Sequence, residues 1–72
     1  MTLDLLKKNN KAKIVKILSD IRIQLTSMGI LEGDTLKIVF ESFLGSPIVF
    51  SSGENLIALR KGQAKDIKVI LL

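Results

Sequence analysis

Residues 21–50, IRIQLTSMGILEGDTLKIVFESFLGSPIVF, change their apolar period part-way, and that change decides the fold. Ile21, Leu25 and Met28 recur at intervals of four and three, so they share one face of a short amphipathic helix that plugs a sheet. Gly29 is the natural residue just past the helix end, because a left-handed backbone costs glycine almost nothing. Ile30 and Leu31 return to the core, and Glu32-Gly33-Asp34 is a turn. From Thr35 the period becomes two. Residues 35–43 predict the longest strand, with Leu36, Ile38 and Phe40 on the inner side and Lys37, Val39 and Glu41 on the other. Leu44-Gly45-Ser46-Pro47 is a loop, since Pro lacks a ladder donor and Gly allows positive φ. Residues 48–52 form the return strand.

Working outward, Ser19 is the expected N-cap, with Asp20 placed against the positive end of the helix dipole. Leu18 and Ile23 have hydrophobic-staple spacing. From Lys11 onward, Lys11, Lys13 and Lys16 alternate with Ala12, Ile14 and Ile17, a first strand with one wet face whose pattern Val15 disturbs. Residues 1–8 lay leucines on the core as one helical turn or a short strand, and Asn9 and Asn10 turn the chain. On the other side, residues 51–55 are a hairpin turn and 56–59 a fourth strand. Residues 61–66 are a helical turn, and 67–71 a fifth strand in which Ile67, Val69 and Leu71 alternate with Lys68. The result is one mainly β domain, residues 1–72, forming a small barrel of about five strands with one short α-helix inserted after the first.

The chain has no cysteine and no histidine, which excludes disulfides and the ordinary ligand sets for zinc, iron–sulfur clusters and haem. No cofactor is expected. A nucleophile–base pair built on Cys or His is equally excluded, and no G-x-x-x-x-G-K phosphate loop is present, so an enzyme is the least expected class. Eleven Lys and Arg oppose seven Asp and Glu, a net charge of +4 that favours acidic partners. The excess is concentrated at Lys7, Lys8, Lys11, Lys13 and Lys16, read as a solvated strand face and turn, with docking near anionic headgroups or an acidic domain as the alternative. No apolar run reaches the ~18 residues of a spanning helix, and the first residues lack a secretory pattern. A cytoplasmic location without direct membrane insertion is therefore expected.

At this point a family resemblance enters. Arg22, Leu25, Met28-Gly29-Ile30 and Gly33 resemble the R-x-x-L-x-x-M-G-(I/L)-x-x-G core of the FeoA domain. Leu44-Gly45-Ser46-Pro47-Ile48 resembles its P-L-G-D-P-(I/V) loop, and Ile57-Ala58-Leu59-Arg60 with Ala64 its (I/L)-A-L-R-x-x-(E/D)-A segment. Ile67-Lys68-Val69 resembles the closing strand. Phe43 stands where that loop usually begins with Pro, Ser46 where it has Asp, Asn10 where a glycine turn is frequent, and Gln63 where an acid precedes Ala64. The resemblance implies an SH3-like barrel. It also implies a cytosolic accessory role in bacterial ferrous iron uptake beside the membrane transporter FeoB and its GTP-binding domain. The same barrel occurs at the carboxy-terminal end of DtxR-type repressors, and a stand-alone reading is preferred for a chain of this length.

On this reading the chain is a non-catalytic interaction module, possible weak self-association at its apolar end included. The candidate partner-binding residues are Arg22, Leu44, Gly45, Ser46, Pro47 and Arg60. Leu25, Met28, Gly29 and Gly33 are structural, Met28 as core packing in preference to a lone thioether metal ligand. Arg22 and Arg60 could equally serve intramolecular pairs or strand-end carbonyls. Asp34, Glu41 and Glu54 match no metal-binding spacing. The alternative function is a small basic barrel binding RNA or single-stranded DNA. It lacks stacking platforms on this reading, because Phe40 and Phe50 are assigned to the core and only Phe43 is left.

Overall fold

The computed structural model describes residues 1–18 and 20–72. Ser19, the expected N-cap, lies outside them. Five strands form one antiparallel sheet: β1 (Lys11–Ile17), β2 (Thr35–Glu41), β3 (Ile48–Ser52), β4 (Asn55–Leu59) and β5 (Ile67–Leu71), in the spatial order β4-β3-β2-β1-β5. Helix α1 (Ile21–Ser27) follows β1, and a single turn, α2 (Lys61–Ala64), joins β4 to β5. Residues on both edge strands, Ile57 and Leu59 on β4 and Ile67 and Val69 on β5, belong to the same buried cluster. The sheet must therefore curl until its two edges face one core.

That core is almost wholly aliphatic. Phe50 is its one aromatic side chain, and among the described residues no polar or charged one is buried. Leu3 and Leu6 reach it from a 3₁₀ turn at Leu3–Leu5, while Leu5 between them stays exposed. The first segment also shields the outer edge of β5. Val69 N–H donates to Met1 O at 2.8 Å, and Thr2 bridges Lys68. An edge covered this way is a poorer template for pairing with another chain.

Two one-residue bulges reset the strand alternation. Along β1 and β5, Ile14 pairs with Val69 and Lys16 with Lys68, so Val15 is the extra residue. This lets Ile14 and Ile17, three apart, both point inward, and it accounts for Val15 interrupting the sequence pattern. Along β2 and β3, Ile38 pairs with Phe50 and Phe40 with Val49, which makes Val39 the extra residue. Regular alternation would bury Phe40. After the bulge it lies outside, 59% exposed, contrary to the sequence expectation. The strand also ends at Glu41 instead of running to residue 43.

Helix α1 stops on a six-residue motif. Ile30 N–H donates to Leu25 O at 2.9 Å and Gly29 N–H to Thr26 O at 3.0 Å, with Gly29 at φ +83° and both Ile30 and Leu25 fully buried. Met28 is thereby the cap residue and not part of the inward stripe. It is 41% exposed, which corrects its expected place in the core, and Ile30 fills that volume instead. Ile23 and Leu31 are also exposed, so the staple between Leu18 and Ile23 does not form and only Ile30 of the 30–31 pair returns inward. The expected final strand at 67–71 and return strand at 48–52 are present, and the last helical turn is confined to α2.

Truncating Phe50 to Ala removes the largest fully buried side chain and is expected to cost about 3–5 kcal/mol. Phe40→Ala, at a half-exposed position, should cost less than about 1 kcal/mol. Urea denaturation distinguishes them, and equal losses would contradict the bulge at Val39.

Candidate functional site

Residues 42–47 connect β2 to β3 and project from one end of the sheet. Gly45 N–H donates to Ser42 O at 2.8 Å, closing a four-residue turn with Phe43 and Leu44 at its corners, and Ser42 N–H donates to Pro47 O at 3.3 Å across its base. Ser in the first position and Gly in the fourth suit such a turn. Gly45 has φ +81°, where any side chain is strained, and a Cβ there would lie 3.2 Å from Lys61 Nζ. The Ser46-Pro47 peptide is cis. Corner residues of a turn point into water, and here both are large and apolar. Phe43 is 100% exposed and Leu44 86%.

Helix α2 holds this turn from the side. Ile48 at the start of β3 pairs with Leu59 at the end of β4, so the chain leaving β4 passes directly beside the loop. Lys61 N–H donates to Ser46 Oγ at 3.3 Å, and Arg60 N–H is capped by Gln63 Oε1 at 2.9 Å. The structure thus brings Leu44, Gly45, Ser46, Pro47 and Arg60 together. Arg60 is exposed, and among the described residues its guanidinium has no ion-pair partner. Next to the turn, Lys8, Ile38, Val39, Phe40 and Glu41 line an open concavity of about 320 Å³.

Arg22 is not part of this surface. It lies where β1 ends, at the other end of the β1–β2 ladder, because β2 runs antiparallel from Thr35, opposite Lys13, toward the loop. One of its guanidinium nitrogens, Nη2, donates to Ile17 O at 3.2 Å and to Glu32 Oε2 at 2.8 Å, and that same carboxylate oxygen accepts from Ile17 N–H at 3.0 Å. Arg22 and Glu32 together clamp the end of β1 to the turn after α1. Gly33 does related work: its N–H donates to Ile14 O at 2.7 Å while Asp34 O accepts from Ile14 N–H at 2.8 Å.

The sequence reading missed Phe43 as a turn corner, Phe40 as a surface residue, and Lys8 and Lys61 as their neighbours. The Ser-x-x-Gly spacing at 42–45 was the available signal for the first. Nothing local signals the second. Among the described residues no three Asp and Glu side chains converge as a metal site would need.

A family model for the FeoA domain matches residues 1–71. The chain belongs to the FeoA family. Iron(II) transport protein A from Clostridium thermocellum is 32% identical and superimposes with a TM-score of 0.89 over 100% of this chain and 46% of that one. The FeoA protein of Chlorobium tepidum is 28% identical with a TM-score of 0.92, over 100% of this chain and 70% of that one. FeoA of Stenotrophomonas maltophilia, solved with zinc and described as a procaryotic SH3 domain protein, is 25% identical with a TM-score of 0.83, over 97% of this chain and 89% of that one. The five-stranded sheet with its inserted helix is accordingly the SH3-like fold of the FeoA family. The chain spans less than half the length of the Clostridium thermocellum protein. No protein with a curated description matches it.

Removing the Ser46 hydroxyl deletes the acceptor that ties α2 to the turn. Ser46→Ala is expected to cost about 1 kcal/mol and to speed hydrogen exchange at the Lys61 amide. Ser42 Oγ, by contrast, is buried with no hydrogen-bond partner among the described residues, so Ser42→Ala should leave stability unchanged or slightly improved and that amide's exchange unchanged.

Proposed function

We propose that this FeoA-family chain is a non-catalytic accessory module of ferrous iron uptake. It docks on the cytoplasmic side of an FeoB-type transporter through Leu44, Gly45, Ser46, Pro47 and Arg60. One observation carries this reading: a turn held by hydrogen bonds at its base and side presents an exposed leucine near an arginine that has no ion-pair partner among the described residues. Such a pair suits recognition of a protein face. Leu44 supplies apolar area, and the Arg60 fork can take a carboxylate in two parallel hydrogen bonds. Gly45 keeps the backbone accessible beside them. The names of the relatives, iron(II) transport protein A and FeoA, support the iron-uptake setting. The lack of His, Cys and a phosphate loop supports a role in binding and not in turnover. Arg22 is assigned to holding β1, given its bonds to Ile17 and Glu32. No helix among the described residues is long and apolar enough to cross a membrane, which accords with a module recruited by its partner.

The exposure of Phe40, which shares a concavity with Lys8, and of Phe43 favours one second reading, a platform for single-stranded nucleic acid. An anisotropy titration against a labelled oligonucleotide at low salt decides it, since flat curves would eliminate it.

Capture by the cytoplasmic region of an FeoB-type transporter tests the main reading. Leu44→Ser and Arg60→Glu should each weaken binding at least about tenfold while leaving the circular dichroism spectrum unchanged. Binding of both variants at wild-type strength would contradict it.

A further inference from the structure

The turn between β2 and β3 does more than offer a contact to a protein. We propose that Phe43 and Leu44 form the apolar tip of a docking site for an anionic phospholipid surface, with Lys8, Arg60 and Lys61 as its cationic rim.

Shape favours a lipid over a protein groove. Phe43 and Leu44 occupy adjacent corners of a turn and stand clear of the molecule, 100% and 86% exposed. A pair of protruding apolar side chains suits a soft apolar medium that closes around them. Behind the tip, Val39 and Phe40 are also half-exposed, so an apolar ledge continues from the turn onto β2. Aromatic and aliphatic side chains in this arrangement reach the boundary between headgroups and acyl chains.

Charge selects the kind of surface. Lys8 lines the concavity that Val39 and Phe40 share, and Glu41 is the one acid in that lining. At the turn itself, Lys61 Nζ lies 3.2 Å from where a Cβ on Gly45 would sit, and Arg60 precedes Lys61 in the chain. Lys8 thus borders the apolar ledge and Lys61 the turn, with Arg60 next to Lys61 in the chain, and the whole chain carries a net charge of +4. Each cation brought to an anionic leaflet adds attraction that salt weakens. The contact is shallow, involving a turn and its flanks, and needs no spanning segment. It shares Leu44 and Arg60 with the proposed transporter contact, and protein-free vesicles test it separately from that contact.

The chain contains neither Trp nor Tyr, so a Phe43→Trp variant carries a single reporter at the tip. Vesicles of phosphatidylglycerol mixed into phosphatidylcholine should shift its emission to the blue, and vesicles of phosphatidylcholine alone should not. In that background Leu44→Ser should weaken partitioning roughly tenfold, and Lys8→Gln with Lys61→Gln should do so to a similar extent. All of these positions are exposed, and an unchanged thermal midpoint confirms that each variant is folded. An absent shift with anionic vesicles, or an equal one with neutral vesicles, would overturn the proposal. So would a shift with polyglutamate or a single-stranded oligonucleotide but none with vesicles.

Discussion

One extra residue in β2 governs how this molecule meets its surroundings. Val39 interrupts the pairing of β2 with β3, so that Ile38 lies opposite Phe50 inside the core and Phe40 lies opposite Val49 outside it. Without that bulge the outer end of β2 would turn its phenylalanine inward and its neighbours would exchange faces, because strand alternation has a period of two. With it, the strand delivers an apolar ledge that runs from Val39 and Phe40 into the turn at Phe43 and Leu44. A second bulge, at Val15 of β1, works in the opposite sense. It keeps both Ile14 and Ile17 in the core despite their odd spacing. Bulges also increase local twist, which helps a sheet of five short strands curl over a single core.

A core built from Ile, Leu, Val, Ala and one Phe has little to spare in a chain of 72 residues. The structure compensates with backbone closure. β1 is paired on both sides, Leu18 N–H donates to Asp66 O at 2.7 Å, and Leu72 N–H donates to Lys11 O at 2.9 Å, so the first and last strands lock over their whole length. Glu32 adds a side-chain bond to the same region by accepting from both Ile17 and Arg22. The bonds of Leu18 and Glu32 hold the end of the sheet away from the turn, and the Leu72 bond to Lys11 closes the end nearer to it. The turn itself is secured separately, by its own hydrogen bonds and by α2. The Arg22–Glu32 clamp and the turn thus lie at different ends of the β1–β2 ladder.

Much of this was legible in the sequence. The switch from helical to strand period at Thr35, the glycine stop at Gly29, the strands at 48–52 and 67–71 and the Gly-Pro loop all follow from local chemistry, and the three FeoA-like motifs placed the fold. What escaped was non-local. Phe40 carries a core pattern in its neighbours, and only the register with β3 reverses it. Met28 matches the inward stripe of α1, but the helix ends one residue earlier and Ile30 occupies the site. Arg22 and Glu32 are ten residues apart and carry no pairing signal until the turn after α1 folds back onto β1. Among the candidate partner residues, the grouping of residues 44–47 with Arg60 depended on Leu59 lying opposite Ile48, which sequence spacing cannot show.

The three phenylalanines report directly on the central feature, since one is buried, one half-exposed and one fully exposed. Paramagnetic broadening of their ring signals by a soluble gadolinium chelate reads this arrangement in a single titration. The bulge at Val39 predicts strong broadening at Phe43, clear broadening at Phe40 and none at Phe50. Protection of Phe40 to the same degree as Phe50 would contradict it.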